Sequence, residues 1–183
     1  FLVQEGTGDM IEEALKILRG WNADWCPRFV MVDKSQQEMN AIHEAFGGES
    51  EAMLCDFHRK QACWRWLTTK DVAGLTKEKR HIIFGELDEL GNCEDVEMYE
   101  RLLSMFVERH GAQYPKLLTY LKREWFYCAE LWVKCYRQCY HGGLDTNNYM
   151  ESMNRVFKHK WLNVRRDTRL DSLLNCYCDE LLV

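Results

Sequence analysis

Residues 28–58 read RFVMVDKSQQEMNAIHEAFGGESEAMLCDFH. The run Phe29-Val30-Met31-Val32 is short, apolar and partly β-branched, which suits a buried strand. It stops at an acid, Asp33, followed by the polar pair Lys34-Ser35. Glu38 to Phe46 has a helical pattern, with Met39, Ala41, Ile42, Ala45 and Phe46 as its apolar positions, and Gly47-Gly48 ends it. A second apolar run, Ala52-Met53-Leu54, leads into Cys55-Asp56-Phe57-His58. The order is strand, acid, helix, strand, then a C-x-x-H pair. Open α/β sheets bind ligands just past the carboxyl ends of their strands. Asp33 stands at one such end, and Cys55 and His58 at another.

Working outward, Met10 to Trp21 carries a helical stripe of Ile11, Ala14, Leu15, Ile17, Leu18 and Trp21, with Asp9 as the expected N-cap and Asn22 as the stop. Phe1 to Gln4 reads as the tail of a strand. The order β-α-β-α-β predicts an α/β domain over residues 1–58. After His58 no further strand is expected up to Tyr140. Helices are predicted over Arg59–Leu67, over Thr76–Leu90 with a break at Gly91-Asn92, over Glu94–His110, and from Pro115 to about Tyr140. Residues 59–140 therefore read as an all-α insertion. The loop His141-Gly142-Gly143-Leu144 opens a C-terminal segment, 141–183. In it Asp145-Thr146-Asn147-Asn148 starts a helix to Trp161, Asn163–Thr168 is a basic linker, and Arg169–Val183 is a last helix.

The chain has 183 residues, 46% of them hydrophobic and 13% aromatic, enough to bury a sizeable core. A formal net charge of −5 excludes a globally basic nucleic-acid binder. Any such surface must be local, at Lys158-His159-Lys160 or Arg165-Arg166. Nine cysteines, an odd number, come without a signal peptide or disulfide-like spacing, which points to a reducing compartment. No apolar run reaches the roughly 18 residues of a membrane span, so a membrane partner is not expected. A start at Phe1 and an apolar end at Leu181-Leu182-Val183 suggest a piece of a longer protein.

Three groups of residues can carry chemistry. A carboxylate at a strand end, Asp33, suits a hard cation such as Mg²⁺; equally, it can cap the following helix. Glu151 lies one turn inside a helix and shares a face with Asn147 and Asn154. That face is either a polar site or an ordinary solvated surface. Cys55 and His58 supply two of the four ligands that a structural zinc needs. Cys135, Cys139 and His141 are available to complete it, although burial on an aromatic helix also accounts for Cys128, Cys135 and Cys139. Cys176 and Cys178, two apart on a helix, point different ways.

Three pieces in this order carry a resemblance. They are the strand–Asp33 unit with Glu38, Ala41, Ile42 and Phe46; the segment L-C-D-F-H-R-x-Q with Cys55 and His58; and T-N-N-x-x-E-S-x-N-R-x-F-K, from Thr146 to Lys158. Together they resemble Mutator-like element (MULE) transposases over nearly the whole chain. The resemblance implies a ribonuclease-H-like α/β core, interrupted by the helical insertion, with a DDE triad and two divalent cations, Mg²⁺ or Mn²⁺. Asp33 would match the second acid and Glu151 the third. The first acid would lie upstream of Phe1, outside this chain. Cys55 and His58 would support the site, with a zinc role open. The implied activity is cleavage of DNA at transposon ends and joining to a target, in the nucleus, by a protein that can form homo-oligomers. Candidate DNA contacts are Asn147, Asn148, Asn154, Arg155, Lys158, Lys160, Arg165 and Arg166. The last four follow the Glu151 helix and can equally be a solvated turn. Two other readings stand beside this one. One is a domesticated descendant that binds DNA or protein without cutting. The other is an unrelated helical domain whose Trp125 and Trp132 line a partner groove.

Overall fold

A computed structural model of the chain describes residues 7–69, 74–137 and 144–161. It forms two compact units, 1–145 and 146–183. The first is of the α/β class: mostly helices, around a small parallel sheet of two strands.

Helix α1, Gly8–Trp21, is entered from Thr7, so Asp9 lies inside the first turn rather than at the cap. There its carboxylate still complements the positive end of the helix. Strand β1, Phe29–Val32, leads to helix α2, Gln36–Phe46. The cap of α2 is Ser35, whose Oγ accepts from the Glu38 amide at 3.3 Å. Asp33 is therefore not the capping residue, because the helix begins two residues later than a cap at 33 would require. Gly47 closes α2 with φ 62°, a left-handed turn that glycine takes without strain. Strand β2, Glu51–Leu54, then pairs parallel with β1, Phe29 opposite Glu51 and Val32 opposite Leu54. Helix α1 packs on α2, which covers the pair.

The remaining helices of this unit are α3 (Asp56–Thr68), α4 (Lys77–Asn92), α5 (Val96–Gly111) and α6 (Pro115–Glu124). Thr76 caps α4 and Asp95 caps α5 through their side-chain oxygens. Gly91 and Asn92 do not break α4; Gly91 is buried inside its last turn. The aromatic tract after Pro115 is not one helix. It stops at Glu124, and two short 3-10 helices follow, Phe126–Leu131 and Lys134–Tyr136. The indoles explain the break. Trp125 and Trp132 meet edge to face at 6.5 Å, and the Trp132 Nε1–H donates to the Trp125 carbonyl at 2.9 Å. The same carbonyl accepts from the Cys128 amide at 3.2 Å, an i, i+3 bond in place of the i, i+4 bond of a continuing α-helix. Among the described residues between Phe57 and Arg137 there is no strand, in line with a helical stretch.

The core runs from the sheet into these helices: Val32, Ile42, Phe46 and Leu54 join Leu67, Ile83, Leu90, Leu117, Leu121 and Trp132 in one cluster. Each such side chain, once buried, contributes roughly 1.5–3 kcal/mol. Trp132 is 2% exposed, so it serves this core and lines no partner groove.

In the second unit, helix α7 spans Asn148–Val156 and passes into a π-helical turn, Phe157–Trp161. Several sequence expectations fall outside the described residues: the strand at Phe1–Gln4, the loop 141–143, the linker with Arg165 and Arg166, the last helix, and Cys139, His141, Cys176 and Cys178.

Candidate metal centre

The parallel register brings the site together. Val32 lies opposite Leu54, so the next residues, Asp33 and the Leu54–Cys55 step, leave the sheet side by side. The Cys55 amide donates to the Val32 carbonyl at 2.9 Å, which fixes that exit. Cys55 is then the residue from which α3 starts, and His58 falls in the first turn. A C-x-x-H spacing across a helix start puts both side chains on the same side of the strand ends.

Three ligand-type atoms result: an Asp33 carboxylate oxygen, the Cys55 sulfur and a His58 ring nitrogen, all within 4.8 Å of one another. His58 Nδ1 is 2.7 Å from Asp33 Oδ1. Burial is graded. Cys55 is 1% exposed, whereas the Asp33 side chain is 50% exposed. This is the one group of three or more such side chains found among the described residues. The sequence anticipated the C-x-x-H pair and the acid separately; Asp33, rather than Cys135, is the third member. The Cys135 amide instead donates to the Cys93 carbonyl, and burial pushes the Cys135 thiol up.

A cleft of about 260 Å³ opens beside the three residues, lined also by Lys34, Arg59, Arg65, Tyr120, Glu124 and Trp125. Lys34 pairs with Glu124 at 2.7 Å and lies 4.7 Å from the Trp125 ring centre. Glu38, at the start of α2, is held above the ordinary carboxylate range by burial and, secondarily, by the charge of Asp33. A roomier cleft of about 490 Å³ lies toward the amino ends of the strands, where Phe29, Met39, Ile42, Met53 and Leu131 make it largely apolar. It holds no such group of ligands.

Sequence reasoning missed the supports of this site. Arg59, 3% exposed, bonds Asp56 Oδ1 through Nε at 2.9 Å and Nη2 at 2.6 Å, and its guanidinium stacks over Trp132 at 4.6 Å. Arg137 Nη2 donates to the Leu54 carbonyl at 2.7 Å, and Nη1 reaches Asp145 at 3.2 Å. The i, i+3 spacing of Asp56 and Arg59 was visible, but nothing in DFHRK announced that the arginine would be inside.

Glu151 belongs to the second unit, exposed on α7, with its amide bonded to the Asn147 carbonyl at 3.1 Å. Asn148, Asn154 and Arg155 on α7 are exposed as well, as are Lys158 and Lys160 in the π-helical turn. No helix among the described residues is long and apolar enough to cross a membrane. The chain matches no family model and no curated protein.

Proposed function

We propose that this chain is the central part of a MULE-type DDE transposase, with a ribonuclease-H-like core that cuts and joins DNA strands. One observation carries most of the weight: an exposed carboxylate at the carboxyl end of a half-buried parallel strand, next to a C-x-x-H pair, beside a cleft lined by Lys34, Arg59 and Arg65. Strand ends of this kind are where α/β sheets bind their ligands. The motif Thr146–Lys158, with Glu151 inside it, adds the second support.

Asp33 has the properties that a Mg²⁺ or Mn²⁺ ligand needs. It is an oxygen donor, half exposed, and placed by regular structure on both sides. Asp33 and Glu151 would hold the cations, which when bound supply Lewis-acid activation of the attacking and leaving oxygens. The protein's own part is to position these acids. The ladder bond from Cys55 to Val32 and the Arg137 bond to Leu54 fix the strand ends. His58 braces Asp33 at 2.7 Å. Asn147, Asn148, Asn154, Arg155, Lys158 and Lys160 would meet DNA, largely at its phosphates, so binding would weaken steeply with salt.

The test uses the complete protein and labelled DNA carrying a transposon end, with Mg²⁺ or Mn²⁺. Nicking is expected, and Asp33→Asn should lower it by about a thousandfold or more, since a lost metal ligand removes several kcal/mol of transition-state stabilisation. Unchanged nicking by that variant would exclude Asp33. DNA binding without any nicking would instead identify a domesticated binder.

A further inference from the structure

The geometry assigns Asp33, Cys55 and His58 to a three-donor site for a divalent cation of the zinc class, with a fourth position left to water or an anionic oxygen from the cleft. This goes beyond the DNA-cleavage reading, which asks of Asp33 only an oxygen for Mg²⁺ or Mn²⁺, and it does not depend on that reading.

The donor set makes the argument. One carboxylate oxygen, one sulfur and one imidazole nitrogen lie within 4.8 Å of one another. Magnesium takes oxygen ligands in a near-ideal octahedron. Thiolate and imidazole favour zinc and its neighbours in the d-block. Three protein ligands with one remaining position is the pattern of open zinc sites. Bonds of about 2.0–2.3 Å in a tetrahedron separate the ligand atoms by roughly 3.3–3.8 Å. The widest gap must therefore close by about 1 Å, and the 2.7 Å contact between His58 and Asp33 must widen by rather less. A rotation of the Asp33 side chain, which is half exposed, can supply the widening, and a small turn of a side chain within the group the closing. Cys55 is fixed by its ladder bond, and His58 by the first turn of α3. The cleft wall carries Arg65 beside the Lys34–Glu124 pair, so Arg65 is the cation there that suits an anionic fourth ligand.

The experiment is a Co²⁺ titration of the chain under reducing conditions, read by absorption. One equivalent should produce a thiolate-to-cobalt charge-transfer band together with tetrahedral d–d bands, and Zn²⁺ should displace the cobalt while millimolar Mg²⁺ should not. The quantity read is the difference from Cys55→Ser, which separates this site from the other eight cysteines; that variant should lose the band. His58→Gln should weaken binding at least tenfold, and Asp33→Asn likewise. Circular dichroism of each variant confirms the fold, and His58→Gln serves if Cys55→Ser does not fold. No band, a band undiminished in Cys55→Ser, or full-strength binding by His58→Gln or Asp33→Asn would overturn the assignment. The two readings fail separately. Asp33-dependent nicking without cobalt binding sinks only this one, and cobalt binding with Asp33-independent nicking sinks only the other.

Discussion

Two clusters of ionisable side chains leave the same turn of α3 and serve different ends. Cys55 and His58 reach back to Asp33 at the strand ends. Asp56, Arg59 and Lys60 reach across to Asp88 on α4, with Lys60 Nζ 2.8 Å from Asp56 and 2.6 Å from Asp88. In the second cluster each charge meets its opposite, and the guanidinium is sealed against Trp132. In the first, the members are side chains of ligand type, and the carboxylate is half open to solvent. A buried ion network of complementary charges holds elements together. A group of ligands beside a cleft is arranged for something that arrives. Alternation along a helix start separates the two within six residues.

The sharpest way to break this comparison is Asp56→Ala. It leaves Arg59 buried with only Asp88 at 3.7 Å as a carboxylate neighbour, and should cost about 3 kcal/mol in urea denaturation. Next is Gly91→Ala. A Cβ there would stand 2.7 Å from Arg59 Nη2 and 3.3 Å from a Trp132 ring carbon, so the guanidinium must shift, at about 2 kcal/mol. The third test is pH. Burial alone would raise the Asp56 carboxyl, but Arg59 and Lys60 outweigh it and hold it below its ordinary value. Its ionic contribution is thus fully present above about pH 4 and is lost as pH falls through the lowered value. The stability gap between the natural chain and Asp56→Asn should narrow as unfolding is measured from about pH 5 down to pH 3. The smallest effect is expected for Asp33→Ala, within about 0.5 kcal/mol, as for exposed positions generally. Equal costs at Asp33 and Asp56 would dissolve the distinction.

The elements of residues 28–58 were readable because strand and helix signals there do not compete: a β-branched run, an apolar helical stripe and a glycine stop each have one local meaning. The donors of the metal group were readable for the same reason, as residue types at strand ends. Their meeting was not, since it depends on a register between Val32 and Leu54 that no local pattern states. The role of Asp33 stayed open between ligand and cap because Asp33 and Ser35 are both good capping residues two positions apart, and only the backbone decides between them. The tract after Pro115 has helical periodicity throughout, yet indole packing overrides it at Trp125. The burial of Arg59 was not readable, because arginine inside a core is rare unless fully paired, and its partners Asp88 and Trp132 come from other elements.

The bond from Arg137 to the Leu54 carbonyl joins residues 83 positions apart. Every donor of the group is synthesised by residue 58, but the clamp on its strand arrives only with residue 137. Closing so long a loop is slow compared with making a helix. Through most of synthesis the nascent chain therefore carries the thiol, the imidazole and the carboxylate held by local bonds alone. A chain cut short before Arg137 would keep the ligands and lose the clamp on the Leu54 strand end.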